Sequence, residues 1–521
     1  MQVQELAQQL ALLSPLYFIG FPVLLVFAYL AYWGIYNAYF HPLRKFPGPL
    51  LARSSYIWYA RNWIGGRWPH ALSELHEKYG QVVRIAPDEL TFSSAQSWRD
   101  IYGHSVKGKK YFRKTDWYAG VGDLPNSIST EPDPQKHSAM RRVLANAFSN
   151  SVLKTQADVI MGFLDMFVSQ IRVHDKGEGI CVEEWFNWLT FDIIGDLTFH
   201  ESFGAVENAA QLHHNHGDSN PCLARPHFWI SWIINGNFIR SLYPLFQKIP
   251  ISRLFMRWII PNMEDIREQR RQHIAYTKAK ALKRASQTDV PTKDFFSFLL
   301  EKEDADKSDM FLTAQAHTLI IAGSETTAVT LTAMLAYLLR YPDKLRILNE
   351  EVRSAFSSKN EIDAEGTLPL QYLFAVIEET LRILPPVPFG LPRTCPGATI
   401  DGHVVPAGTI VSVSPYTASH DPQYWHDPEG WHPERWLAPE HPLHNPVFDM
   451  DNKEASRPFS TGPRVCLGVN LAYIELRMTV ARLLWEFDIE LLSKPIDWNT
   501  ELKFFQFWKK VETRVKFTNR F

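Results

Sequence analysis

The chain opens on a hydrophobic pattern unlike that of the rest. Between Glu5 and Arg44 there is no Lys, Arg, Asp or Glu, and Leu16–Tyr36 is a run of 21 apolar, aromatic, Gly or Pro residues. At a rise of ~1.5 Å per residue such a helix spans roughly 30 Å, the thickness of bilayer hydrocarbon. Tyr29, Tyr32, Trp33, Tyr36 and Tyr39 crowd its C-terminal end, where aromatic rings favour the membrane interface, and Arg44 and Lys45 follow. The pattern predicts an anchor over residues 1–40 with its span at about 16–36, and the positive-inside rule puts the body in the cytosol. A cleaved signal peptide would carry a basic front end and a small-residue cleavage site, neither of which is clear here. A core helix is the remaining alternative.

Residues 41–50, with His41-Pro42 and Phe46-Pro47-Gly48-Pro49, read as a stiff extended stalk or a plain linker. Over 51–521 helical periodicity dominates. Trp68–Tyr79 predicts a helix stopped by Gly80, and β-like pieces lie at Val82–Ile85, Thr399–Val405 and Ile410–Val413. Thr313–Tyr341 is a long helical pattern almost free of charge apart from Glu325 and Arg340, which places it inside the body. The Trp-, Phe- and Ile-rich region Cys222–Pro261 reads either as a substrate- or membrane-facing segment or as a buried helix pair. No repeat of 20–50 residues is visible.

Composition narrows the classes. At ~150 residues per domain, 521 residues would suggest three or four domains, unless one core is continuous. Hydrophobic residues at 45% and charged ones at 21% exclude a disordered chain and a multi-span membrane protein. A net charge of −2 offers no electrostatic reason to expect nucleic acid. Four scattered cysteines without a C-x-x-C pair support neither a disulfide framework nor structural zinc. His213-His214-Asn215-His216 lacks carboxylate or Cys partners in register and reads as a solvated loop.

Candidate chemistry centres on Pro458-Phe459-Ser460-Thr461-Gly462-Pro463-Arg464-Val465-Cys466-Leu467-Gly468. It sets one cysteine after a Gly-Pro turn and just before a helix running from Gly468 towards Phe487. Free backbone N–H groups and the positive helix end would lower the thiol pKa. A lone soft anionic sulfur suits haem iron better than zinc.

This string resembles the signature Phe-x-x-Gly-x-Arg-x-Cys-x-Gly of the cytochrome P450 family of haem-thiolate monooxygenases. Phe459, Gly462, Arg464, Cys466 and Gly468 match it position by position. The resemblance implies haem b with Cys466 as axial iron ligand, Arg464 on a haem propionate and Phe459 packed beside the sulfur. Glu379-Thr380-Leu381-Arg382 matches a Glu-x-x-Arg motif whose partner would be Arg435 in Pro433-Glu434-Arg435-Trp436, with Trp436 where Phe is commoner. Such a pair shares one helix face; the resemblance implies that Glu379, Arg382 and Arg435 form a buried network serving folding and haem retention. Ala322-Gly323-Ser324-Glu325-Thr326-Thr327 matches the oxygen-handling helix segment. Its Gly and hydroxyl residues invite a local opening. By resemblance Thr326 hydrogen-bonds dioxygen and Glu325 helps relay protons. His137 and Arg141 lie one helical turn apart; with Arg393 they match further propionate contacts. Lys136 and Arg142 read either as part of a docking face or as solvated charges.

The motifs run in family order along the whole chain. They imply one mostly α body with a small β region, the cytochrome P450 fold, behind a single-pass N-terminal helix in the endoplasmic reticulum membrane. The implied reaction inserts one oxygen atom from O2 into an organic substrate. No flavin- or nicotinamide-binding module is visible, so the expected electron donor is a membrane-bound NADPH-dependent cytochrome reductase. Pocket walls by family position are 111–121, 228–238, 320–322, 387–390 and 504–507, mostly apolar, which implies a lipophilic substrate. The pieces around Phe46-Pro47-Gly48-Pro49 and Arg84-Ile85-Ala86-Pro87 resemble filamentous-fungal members acting on terpenoid, polyketide or alkaloid intermediates. A detoxifying or catabolic oxidase of fatty or aromatic compounds is the enzymatic alternative. A non-catalytic, membrane-tethered haem or lipid binder is the other, and the intact Cys466, Glu325 and Thr326 argue against it.

Overall fold

The computed structural model describes residues 21–521 other than 105–109, 120–123, 209–244, 246–247, 249–262, 288–289, 291, 302–305, 498–500 and 510. The start of the anticipated span (16–20), the His213–His216 stretch, the 228–238 wall and all of Cys222–Pro261 but Leu245 and Lys248 lie outside the described residues.

Among the described residues two helices are long and apolar enough to cross a membrane, α1 (Phe21–Phe40) and a second over Asp309–Arg340. Only 6% of the apolar window of α1 is buried, against 72% for the other, so α1 is the candidate anchor and the second a core helix. α1 runs on past Tyr36. Its last turn widens over Tyr36–Phe40, and His41 N–H closes it onto Tyr36 O at 2.9 Å before Pro42. Two arginines of the body take up carbonyls of that turn: Arg84 Nη1 donates to Asn37 O at 2.9 Å and Arg53 Nη2 to Ala38 O at 2.7 Å. Cations at a helix C-terminus answer its partial negative charge. The stalk is less extended than its prolines imply. Pro42–Lys45 forms a 3-10 turn capped by His41, and Leu50–Ser54 is a short helix. Leu43 and Phe46 are buried in an apolar cluster with Val82, Leu90 and Trp98, so packing against the body shapes this segment.

The body then follows α2 (Trp68–Tyr79), β1 (Val82–Ala86), β2 (Glu89–Phe92), α3 (Ala95–Tyr102) and β3 (Arg113–Lys114). Gly80 ends α2 at φ 91°, a conformation open to glycine. Next come α4 (Pro134–Leu144), α5 (Asn150–His174), α6 (Val182–Phe199), α7 (Met263–Ala285) and α8 (Asp309–Arg340). After them come α9 (Pro342–Ala355), α10 (Gln371–Ile383), β4 (Arg393–Thr394), β5 (Ile410–Val413), α11 (Val469–Glu486), β6 (Phe487–Leu491) and β7 (Arg514–Asn519). The sheet order β1-β2-β5-β4-β3 gathers strands from both ends of the body, with β2 and β5 parallel and the other pairs antiparallel. Ala398–Ile400 and His403–Val405 form a hairpin. The chain is a mainly helical body with small sheets, as its periodicity predicts.

α8 packs against α6, α7, α9, α10 and α11. It meets α6 closely at Gly323, where an added Cβ would lie 2.7 Å from Ile194 Cδ1. Thr190 Oγ1 on α6 donates to Ser324 O at 3.1 Å across the same crossing. The anticipated opening of α8 at Ala322–Thr327 is not a break: the helix runs without interruption from Asp309 to Arg340. Ser324, Thr326, Thr330 and Thr332 donate their hydroxyls to the carbonyls four residues earlier. That back-bonding loads the helix without displacing its backbone ladder.

A cysteine loop beside a basic cluster

Cys466 sits in a loop that leads directly into α11. Its N–H donates to Phe459 O at 2.9 Å, and Val465 N–H returns to Gly462 O at 3.1 Å. Gly462 holds φ 74°, and a Cβ there would lie 2.1 Å from Tyr102 O, so both backbone and space require glycine. Gly468 is the N-cap of α11, and its N–H points at the Cys466 sulfur. Phe459 packs against Tyr473 of α11 at 5.5 Å between ring centroids.

Cys466 keeps exposed surface although protein surrounds it on most sides. Burial pushes its thiol up, while the Gly468 N–H and Arg141 pull it down; burial wins, contrary to the lowering expected from the helix end alone. A thiolate here needs a cation at sulfur to balance its desolvation. Among the described residues no three His, Cys, Asp or Glu side chains come together, so an iron held by Cys466 would draw its remaining protein-independent ligands from a porphyrin.

The second requirement of such a cofactor is a place for two carboxylates. Arg141 Nη1 donates to Val465 O at 2.7 Å, joining α4 to the cysteine loop. His137, one turn earlier, is buried and lowered to about 3, first by burial and then by Arg464, Lys114, Arg141 and Arg393. Arg464 Nε donates to Tyr111 OH at 2.7 Å, while its Nη1 is buried and has no hydrogen-bond partner among the described residues. Arg393 Nη1 donates to Tyr118 OH at 2.7 Å, and its guanidinium covers the Tyr102 ring at 5.1 Å. Lys114, directly opposite Arg393 in the β3–β4 register, is buried and held well below the usual lysine range by desolvation and then by Arg393 and Arg464. Glu131 is the carboxylate that acts on Lys114. Five basic groups thus converge beside Cys466 with little negative charge among them, and an anionic edge of a bound group supplies what they lack. The site fits haem by both tests.

The structure therefore brings Cys466, Arg464, His137, Arg141 and Arg393 together and adds Lys114, which sequence reasoning missed. The sequence marks it only as one position of the 111–121 pocket wall, without a role toward an anion. Lys136 and Arg142 are exposed on α4. Glu325 and Thr326 stand on a different wall, α8. Glu325 is buried, Thr326 is half-buried with Oγ1 bonded to Ala322 O at 2.7 Å, and Ala322 is exposed in the middle of a buried helix.

Glu379, Arg382 and Arg435 form a fully buried network. Arg382 Nη2 and Nε meet Glu379 Oε1 and Oε2 at 2.8 and 2.9 Å, and Arg435 Nε meets Oε2 at 3.3 Å. Burial opposes the charge on Glu379, but Arg382, Arg435 and the His432 N–H outweigh it and hold the carboxyl below its ordinary range. Trp436 Nε1 donates to Glu379 Oε2 at 2.8 Å, a bond the commoner Phe could not make. Asp451, missed in the sequence, pairs with Arg435 Nη1.

Three anticipated pocket segments meet through rings. Trp117 lies 5.3 Å from Phe389, and Phe389 lies 5.4 Å from Phe504. Trp63, unmarked in the sequence, joins both at 6.1 Å. Ile320 instead packs fully into the core, leaving Ala322 as the open position of its segment.

A family model described as Cytochrome P450 matches residues 45–514. The chain is 80% identical over 515 residues to "Cytochrome P450 monooxygenase BOA3" of Botryotinia fuckeliana, covering 99% of each chain. It is 39% identical to "Cytochrome P450 monooxygenase poxC" of Penicillium oxalicum, over 95% of this chain and 93% of that one. Against "Cytochrome P450 monooxygenase btcC" of Colletotrichum orbiculare the identity is 38%, over 93% and 91%. With the cysteine loop, the basic cluster and the buried Glu-Arg-Arg network in place, the chain belongs to the cytochrome P450 family.

Proposed function

We propose that the protein is a membrane-anchored haem-thiolate monooxygenase that inserts one oxygen atom from O2 into a lipophilic intermediate of fungal secondary metabolism. The observation that carries this reading is Cys466 in its capped loop beside five converging basic groups. Cys466 would hold the iron of haem b, and His137, Arg141, Arg393, Arg464 and Lys114 would receive its propionates. Haem, when bound, supplies dioxygen activation, with one oxygen atom going to the substrate and the other to water. Gly468 N–H and Arg141 steady the charge on sulfur. Thr326 offers a hydroxyl at the open face of α8, and Glu325 stands next to it as the proton-relaying carboxylate. The packed rings of Trp63, Trp117, Phe389 and Phe504 join three of the anticipated pocket segments into one apolar cluster, which supports a lipophilic substrate.

The exposed helix α1 supports an anchor, with the endoplasmic reticulum as the membrane and the catalytic body in the cytosol. A membrane-bound NADPH-dependent cytochrome reductase then supplies electrons. The test is incubation of the full chain with such a reductase, isotopically labelled dioxygen and the lipophilic extract of a strain lacking the gene. A new product carrying one heavy oxygen atom is expected. Oxygen drawn from water, or no gene-dependent product, would contradict the proposal.

A further inference from the structure

Tyr473 lies early on α11, just past the cysteine loop, and its ring stands between two others. On the inner side Phe459 of that loop packs against it at 5.5 Å between centroids, and Phe459 O accepts the Cys466 N–H at 2.9 Å. On the outer side the Phe374 ring of α10 stacks on it at 6.1 Å, and Phe374 is 42% exposed. Three rings thus run from the cysteine loop to the surface. The phenol has a partner of its own. Tyr473 OH donates to Glu378 Oε1, and Glu378 stands one turn after Phe374 on the same face of α10. The phenols beside the basic cluster are placed differently: Tyr111 and Tyr118 accept from the guanidinium groups of Arg464 and Arg393, which offer no base for a phenolic proton. Burial pushes the Glu378 carboxyl up, against the Tyr473 bond and the Lys453 charge, so it accepts a proton more readily than an ordinary surface carboxylate.

We propose that Tyr473 is a redox-active residue: it gives one electron towards the cysteine loop when an oxidising equivalent is left there, and its phenolic proton passes to Glu378. This rests on the haem-thiolate reading above. Such an equivalent remains when oxygen activation does not reach a substrate, or when a peroxide takes the place of O2. The O–H bond of Tyr473 breaks, the electron leaves across the Phe459 ring, and the proton bonds to the Glu378 carboxylate. A neutral tyrosyl radical then stands beside a neutral acid. In the return step a small diffusible reductant such as ascorbate supplies one electron at the exposed Phe374 edge, and Glu378 gives the proton back. Tyrosine and carboxylate end as they began, and the haem site is spared damage to its own surroundings.

The experiment mixes the substrate-free, haem-loaded full chain in detergent micelles with a peracid and freezes it rapidly for electron paramagnetic resonance. The peracid takes up two electrons and two protons in becoming its carboxylic acid and water; Tyr473 supplies one of those electrons and the haem the other. The wild type is expected to give a tyrosyl radical whose line shape narrows when its tyrosines are ring-deuterated. Tyr473→Phe, which keeps the ring stack, should lose that signal. Glu378→Gln, which keeps the shape but is a far weaker base, should form it more slowly. Under hydrogen peroxide Tyr473→Phe should bleach its haem band faster than the wild type. The proposal is overturned by a wild type without a tyrosine-type radical, by an unslowed radical in Glu378→Gln, or by equal bleaching. An undiminished radical in Tyr473→Phe also overturns it, placing the site on another phenol such as Tyr372, which donates to Glu434 at 3.0 Å. Absence of a thiolate-type Soret band in the reduced, carbon monoxide-treated wild type would instead overturn the parent reading, and that spectrum is taken first.

Discussion

Lys114 and Arg393 stand directly opposite one another on adjacent antiparallel strands, two basic side chains in one cross-strand pair. Like charges directly opposite one another destabilise a sheet, and here both side chains are also buried. The pair makes sense as a receptor for an anion. Lys114→Met should leave the haem-free protein as stable as the wild type or more so, while weakening haem binding by about 1.5–3 kcal/mol, the range of a hydrogen bond to a charged group. Haem transfer to apomyoglobin measures the second effect. Unchanged retention would place Lys114 outside the propionate site.

Trp436 gives the Glu379 network a donor that the commoner Phe lacks. Trp436→Phe should lower stability in urea by about 1.5–3 kcal/mol. Glu379→Ala, which strands Arg382 and Arg435, should lower it by about 3–5 kcal/mol. A Trp436→Phe variant as stable as the wild type would show that the indole bond is incidental.

Gly323 sets the approach of α8 to α6. With Ile194 Cδ1 2.7 Å from an added Cβ, Gly323→Ala should destabilise by about 1–3 kcal/mol through overpacking. Combining it with Ile194→Val or Ile194→Ala should recover part of the loss. Additive losses in the double variants would mean that the two sites do not share the contact.

His420 links stability to pH. Burial first and Arg382 second lower it to about 3, and one ring nitrogen bonds Tyr416 O at 2.8 Å. The unfolded chain takes up a proton near the ordinary value of 6.5 and the folded one does not, so stability is lost as pH falls from about 6.5 towards 3. His420→Gln should flatten that acid limb in thermal unfolding curves. An equally steep limb would assign the effect to His70, His76 and His137, the other buried histidines that burial holds below the ordinary value.

Much of this was legible because the chemistry is local in the chain. The Cys466 loop needs Gly462 at positive φ and Gly468 as helix cap within six residues of each other, so its geometry is written in one contiguous string. Glu379 and Arg382 share one helical face for the same reason. Lys114 was not legible, because its meaning depends on a two-residue strand pairing with Arg393, far along the chain. Asp451 is likewise defined by its partner Arg435 on another element, and its neighbours in sequence carry no mark of it. The helix α8 was placed in the core by its lack of charge, but whether its hydroxyls would open it depended on where they bond.

The central claim is that Cys466 is the thiolate ligand of a haem. Its most direct test is the visible difference spectrum of the reduced, carbon monoxide-treated full chain beside that of Cys466→Ala. The wild type should show the Soret band shifted to long wavelength that thiolate ligation produces, and the variant should lose it. A wild type without that band, or a variant that keeps it, would contradict the account.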